Sequence, residues 1–175
     1  EDFYPNDPVV ITISHLGYIK RTPLSEFREQ SRGGVGSKGA HTRDEDFTEF
    51  IYPATMHQTM LFFTRKGRCF WMKCYEIPEG AKNSKGRAIQ NMLNIESDDS
   101  VNAFLRIGKF NDEEFLNSHY VVFATKQGVI KKTSLKEYSR PRTNGVIAIN
   151  IREDDEVISV RLTNGNNEIL LANRN

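Results

Sequence analysis

Val9-Val10-Ile11-Thr12-Ile13-Ser14-His15-Leu16-Gly17-Tyr18-Ile19-Lys20-Arg21-Thr22 sets a pattern that returns twice along the chain. It returns as Met60-Leu61-Phe62-Phe63-Thr64-Arg65-Lys66-Gly67-Arg68-Cys69-Phe70-Trp71-Met72 and as Tyr120-Val121-Val122-Phe123-Ala124-Thr125-Lys126-Gln127-Gly128-Val129-Ile130-Lys131-Lys132-Thr133. Each stretch is a β-branched or aromatic run, a Ser or Thr, two residues, a glycine and a second short run. That order predicts a β-hairpin whose glycine supplies a positive φ at the turn. With Gly17, Gly67 and Gly128 aligned, Leu24, Cys74 and Leu135 fall into one register and Phe27, Ile77 and Tyr138 into another, which marks them as core positions.

Outward from the hairpins the repeat continues. Short turns or single helical turns follow, with Thr22-Pro23 offering an N-cap and a first-position proline. A polar loop comes next, Ser37-Lys38-Gly39, Ser84-Lys85-Gly86 or Thr143-Asn144-Gly145, and then a further strand at Phe47–Tyr52, Val101–Ile107 or Val157–Leu162. Glu168–Asn173 opens the pattern a fourth time. A single truncated all-β domain is expected, with repeats at about 8–58, 59–118 and 119–166 and a fourth starting over 167–175. Repeats of this kind form four-stranded antiparallel blades in propeller-like folds; an irregular β-sandwich is the competing architecture.

The 175 residues can bury a core, and 38% hydrophobic with 27% charged residues is ordinary for a globular protein. No apolar run is long enough to cross a bilayer, and Glu1-Asp2-Phe3-Tyr4-Pro5 is unlike a signal peptide, so a cytoplasmic protein is expected. Two cysteines, Cys69 and Cys74, are too few for a disulfide framework and read as buried thiols. The net charge is only +1, yet its distribution is periodic. Residues 17–43 hold six basic and two acidic side chains, 63–90 seven and two, and 126–142 six and one, while the intervening segments are acidic. Basic segments recurring in stacked repeats would form a stripe able to follow a phosphate backbone.

The polar loop of the first repeat contains Gln30-Ser31-Arg32-Gly33-Gly34-Val35-Gly36. A Gly-Gly-x-Gly run lets backbone N–H groups approach phosphates, with Arg32 and Lys38 adding charge. Together with Ile11–Arg28 ahead of it, this stretch resembles the opening of the C-terminal DNA-wrapping domain of the DNA gyrase A subunit, in the type IIA topoisomerase family. That family carries here a gyrase-A box of pattern Gln, basic, Arg, Gly, Gly, basic, Gly. Gln30, Arg32, Gly33, Gly34 and Gly36 match it, whereas Ser31 and Val35 stand where basic residues are usual. The resemblance continues through Ser139-Arg140-Pro141-Arg142-Thr143-Asn144-Gly145 and covers essentially the whole chain.

The resemblance implies a β-pinwheel in which neighbouring blades exchange a strand and duplex DNA wraps the outer edge. It further implies a parent ATP-dependent type II topoisomerase that uses ATP and magnesium and introduces negative supercoils. In that parent the chain would work with the gyrase A N-terminal domain and the gyrase B subunit in an A2B2 holoenzyme, in the bacterial cytoplasm at the nucleoid. No cofactor, metal or catalytic residue is expected in this chain. The box is implied to hold the wrap closed. The candidate rim cations are Lys20, Arg21, Arg28, Lys38 and Arg43 in the first repeat, Arg65, Lys66, Arg68, Lys85 and Arg87 in the second, and Lys131, Lys132, Arg140 and Arg142 in the third. Contacts of this kind position DNA without reading its sequence.

His15, His41, His57 and His119 lack metal-ligand spacing. The acidic runs Asp44-Glu45-Asp46 and Glu153-Asp154-Asp155-Glu156 read as solvated turns before strands, and Phe62, Phe63, Phe70 and Trp71 as core. Three readings compete: the equivalent domain of topoisomerase IV, a propeller serving as a protein-interaction platform, and a hydrolase on a propeller, for which no acid–base pair is present.

Overall fold

A computed structural model describes residues 3–32, 46–81 and 83–164, with backbone alone for 29–32. The strands are β1 (Pro8–Ser14), β2 (Tyr18–Pro23), β3 (Thr48–Thr55), β4 (Thr59–Thr64), β5 (Arg68–Lys73), β6 (Arg87–Ala88), β7 (Val101–Ile107), β8 (Tyr120–Thr125), β9 (Ile130–Ser134), β10 (Val146–Ile147) and β11 (Val157–Thr163). Helices α1 (Leu24–Arg32), α2 (Ile89–Met92) and α3 (Glu113–Ser118) are short insertions between them. The chain divides into two compact units, Glu1–Gln58 with Met72–Met92 and Thr59–Trp71 with Leu93–Asn175.

The first unit contains one sheet of order β3-β1-β2-β6. Val9 to Ile13 are all buried, so β1 is covered on both faces and its sequence is a continuous apolar run broken only by Thr12. The second unit contains sheets of order β10-β5-β4-β7 and β11-β8-β9. Their central strands repeat the pattern: β4 is buried throughout and β8 at every residue after Tyr120. Between these two sheets lies a three-ring cluster, with Phe63 edge-on to Phe123 at 5.4 Å and Tyr138 meeting Phe63 at 5.9 Å and Phe123 at 6.3 Å. The Tyr138 hydroxyl donates to the Ala148 carbonyl at 3.1 Å, and burial pushes its pKa up to about 12. Cys69 and Cys74 are buried thiols, and burial raises the Cys69 thiol well above its ordinary range.

The three hairpins are built from one set of hydrogen bonds. Gly17, Gly67 and Gly128 have φ of 88°, 93° and 90°, which closes each turn in the left-handed region that costs glycine least. Their N–H groups donate back to the carbonyls of Ser14, Thr64 and Thr125 at 2.9–3.0 Å. The side-chain oxygens of the same three residues accept from the N–H of Tyr18, Arg68 and Val129 at 3.0–3.1 Å. The Ser or Thr three residues ahead of each glycine thus bonds across the turn twice, once through backbone and once through side chain.

A distant aspartate completes each turn. Asp46 accepts from Leu16 N–H and Phe47 N–H, both at 3.0 Å. Asp99 accepts from Lys66 N–H and Ser100 N–H at 3.0 and 2.9 Å, and Asp155 from Gln127 N–H and Glu156 N–H at 3.0 and 2.8 Å. Two of the acidic positions read as solvated, Asp46 and Asp155, are therefore latches, and Asp99 and Asp155 are buried. Burial pushes the Asp155 carboxyl up, but hydrogen bonds from Thr125, Gln127 and Glu156 with the charge of Arg152 hold it below its ordinary value. A folded-state pKa below the unfolded one, about 3.9, adds stability that is complete above the unfolded value and vanishes as pH falls through the folded one. Thermal melts below about pH 4 should therefore show a shallower acid loss for Asp155→Asn than for the parent; equal slopes would mean that the latch carries no such linkage.

Two local expectations change. Thr22 is a strand residue paired with Val10, buried, and its hydroxyl donates to the Gly80 carbonyl at 3.3 Å; helix α1 begins beyond Pro23, so Thr22 is not its cap. The first repeat also continues into nine helical residues rather than one turn, which leaves Leu24 and Phe27 only half-buried, whereas Cys74, Ile77, Leu135 and Tyr138 are buried. Among the described residues the third sheet has three strands, and Glu168–Asn173 lie outside the described residues.

Candidate nucleic-acid interface

The candidate cations fall into groups that differ in what already holds them. In the first unit, the Lys20 ammonium donates to the carbonyls of Ala81 at 3.1 Å and Ser84 at 2.9 Å, and burial lowers its pKa. The Arg21 guanidinium donates to the Ile77 carbonyl, while Arg21 N–H donates to Pro78 O at 2.9 Å and Gly80 N–H returns to Arg21 O at 3.0 Å. Both cations therefore secure Ile77, Pro78, Gly80, Ala81 and Ser84 against β2.

In the second unit the turn cations face acids. Lys66 is ion-paired with Asp98; the hydrogen bond from Lys66, with its charge, lowers the Asp98 carboxyl, and the same bond raises the Lys66 ammonium. Arg65 donates to the Asp98 carbonyl and lies 4.0 Å from the Glu156 carboxylate. Arg68 donates to the Asn144 carbonyl at 2.6 Å. These three positions offset local negative charge or hold a loop.

Most of the exposed remainder lies between the second strand and the outer strand of a repeat. Arg28 is on α1, and Lys85 and Arg87 flank Gly86 at the start of β6, with the Lys85 ammonium 5.6 Å above the Tyr18 ring. Arg140 and Arg142 precede Gly145 and β10. Gly86 and Gly145 fix these loops: each has a positive φ, and a Cβ would strike the Ile19 carbonyl in one case and the Cys69 carbonyl and Phe70 ring in the other. The loop backbone thereby lies directly against the strand it joins. Lys131 and Lys132 are exposed on β9, with Lys132 4.3 Å above the Tyr120 ring.

Of the box, Gln30, Ser31 and Arg32 end α1 as backbone, while Gly33, Gly34, Val35 and Gly36, with Lys38, Arg43 and His41, lie outside the described residues. Sequence reasoning missed the latching aspartates, whose signal is an Asp two residues ahead of Thr48, Val101 and Val157. It also missed the partner of Trp71, whose indole N–H donates to the Tyr138 carbonyl at 2.9 Å. Among the described residues no helix is long and apolar enough to cross a membrane.

Residues 8–54, 58–108 and 119–164 match the family described as DNA gyrase C-terminal domain, beta-propeller. The DNA gyrase A subunit of Staphylococcus epidermidis is 47% identical over 172 residues, and that of Haemophilus influenzae 40% over 171; each alignment takes in 98% of this chain. The chain spans 19% of the length of either relative. The crystal structure of the C-terminal domain of DNA topoisomerase IV superposes with a TM-score of 0.73 at 28% identity, covering 92% of this chain and 47% of that one. A DNA gyrase A C-terminal domain structure gives 0.62 at 18% identity over 90% of this chain and 48% of that one, a likeness of fold. The all-antiparallel sheets, the three matched segments and the relatives agree on a propeller-like pinwheel, and the chain belongs to the DNA gyrase C-terminal domain family.

Proposed function

We propose that this chain binds and bends duplex DNA as the wrapping domain of a gyrase A subunit, with repeats 8–58, 59–118 and 119–166 acting as successive blades and a fourth starting over 167–175. The observation that carries this reading is the placement of Arg28, Lys85, Arg87, Arg140 and Arg142. All five are exposed and occupy the segment between second and outer strand, in a chain that belongs to this family. Bending ~20–30 base pairs through a large angle costs about 1–6 kcal/mol. Phosphate contacts offset that cost because each releases condensed counterions. The box residues Gln30, Arg32, Gly33, Gly34 and Gly36, with Lys38 and Arg43, extend the contact in the first repeat.

The parent is then an ATP-dependent type II topoisomerase of the bacterial cytoplasm. ATP and magnesium belong to the remainder of an A2B2 holoenzyme formed with the gyrase A N-terminal domain and the gyrase B subunit. Wrapping sets the handedness of the crossing presented for strand passage, so that passage introduces negative supercoils. The superposition on the topoisomerase IV domain favours a second reading, in which the parent decatenates and relaxes. Linking-number assays separate the two, since a gyrase drives relaxed plasmid to negative supercoils.

The direct test is ligation of short duplexes into circles. Adding the chain should raise the yield of circles too small to close unaided, and neutralising Arg32 and Lys38 should lower it. Ligation yields unchanged by the chain would overturn the wrapping reading and leave a protein-interaction platform.

A further inference from the structure

Two strands show how a repeat receives the one that follows it. At β2, Ile89 N–H donates to the Gly17 carbonyl at 2.9 Å, β6 pairs with Tyr18 and Ile19, and Gly86 lies over the Ile19 carbonyl. Beyond that short ladder the side chains take over, with Lys20 on Ala81 O and Ser84 O, Arg21 on Ile77 O and Thr22 on Gly80 O. At β5, Ala148 N–H donates to the Gly67 carbonyl at 2.8 Å, β10 pairs with Arg68 and Cys69, and Gly145 lies over the Cys69 carbonyl. There Arg68 and Trp71 hold the carbonyls of Asn144 and Tyr138. Arg21 and Trp71 stand four residues after their turn glycines, and Ile77 and Tyr138 ten residues after theirs, so one contact is made twice with different donors.

Strand β9 has the same edge. Ile130-Lys131-Lys132-Thr133 aligns with Ile19-Lys20-Arg21-Thr22, identical but for Lys in place of Arg. The registers agree as well: Thr12 pairs Lys20 and Ile11 pairs Arg21, just as Phe123 pairs Lys131 and Val122 pairs Lys132. Among the described residues no strand covers β9 on its outer side. Ile19 and Cys69 are 0% exposed, whereas Ile130, at the same position, is 64% exposed.

We propose that Lys131 and Lys132 are docking residues that hold backbone carbonyls of a further repeat of the same kind, and that they are not phosphate contacts. The occupant is a glycine-led short strand with its preceding loop, since that is what covers both equivalent strands. The longer protein has room for it: the chain spans 47–48% of the superposed domains and 19% of the gyrase A relatives. Ile130 becomes buried, and the Lys132 ammonium leaves the Tyr120 ring for a carbonyl, as Arg21 does on Ile77.

Hydrogen exchange tests this without DNA, so its failure is separable from failure of the wrapping reading. The Arg21 N–H points outward to Pro78 O, and the Lys132 N–H has the same register. In the full-length protein the Lys132 amide should exchange at least about tenfold more slowly than in the 175-residue chain. Lys131→Gln with Lys132→Gln should restore faster exchange in the full-length protein while leaving the salt dependence of duplex binding unchanged, and Lys132→Arg should keep the protection. Equal exchange in the two proteins overturns the proposal, as does a double variant without effect on exchange. A double variant whose salt slope falls by about two overturns it as well, by returning the two lysines to the phosphates.

Discussion

Between 50 and 200 mM salt, the affinity of this chain for duplex DNA should fall by a factor of at least about 500. The number follows from counterion release: the logarithm of affinity falls with the logarithm of salt at about 0.9 per neutralised phosphate. Five exposed cations among the described residues, Arg28, Lys85, Arg87, Arg140 and Arg142, give a slope of about −4.5, which Arg32, Lys38 and Arg43 steepen. Replacing Arg140 and Arg142 by Ala should make the slope shallower by about 1.8, with affinity lost evenly across unrelated sequences. The same double change at Arg65 and Lys66 should leave the slope almost unaltered, because Asp98 and Glu156 already face those two side chains. Binding titrations on labelled duplexes decide the matter, and an affinity independent of salt would remove phosphate contact as its source.

The second large effect is structural. Tyr138→Ala should destabilise the unit containing it by about 3–5 kcal/mol, as other truncations of large buried aromatics do. For a unit of this size that lowers its melting temperature by more than ~10 °C. Three losses combine: ring contacts with Phe63 and Phe123, the hydroxyl that satisfies Ala148 O, and the packing of a residue only 2% exposed. Tyr138→Phe separates them, since it keeps the ring and leaves one carbonyl unanswered, at about 1 kcal/mol. Melting followed by near-ultraviolet circular dichroism provides the readout; a Tyr138→Ala protein melting within about two degrees of its parent would show that the ring cluster does not hold the unit.

The hairpins were legible because their determinants are local. A Ser or Thr, two residues and a glycine close a turn wherever they occur between strand formers, and alternation with glycine spacing fixed Cys74, Ile77, Leu135 and Tyr138 as core. Helix α1 was less legible, since its half-buried Leu24 and Phe27 sit in a segment too short for a helical period to stand out. The aspartate latches were hidden for a different reason: Asp46, Asp99 and Asp155 reach turn amides about 30 residues away, and an acid before a strand looks solvated in one dimension. Cations posed the hardest problem. A lysine or arginine offers the same donors to a carbonyl as to a phosphate, and the carbonyls held by Arg21 and Arg68 lie 56 and 76 residues along the chain. Lys20, Arg21, Arg65, Lys66 and Arg68 thus have protein partners that sequence spacing cannot reveal.

The contacts that seat one repeat on the last run from side chains to main-chain oxygens: Ile77, Gly80, Ala81, Ser84, Asn144 and Tyr138 are all held by a group every amino acid possesses. The receiving segment can therefore mutate without a matching change in its neighbour. Duplicating, deleting or transplanting a whole repeat breaks no matched pair of side chains at these contacts, so a lineage could alter the length of the array in single genetic steps.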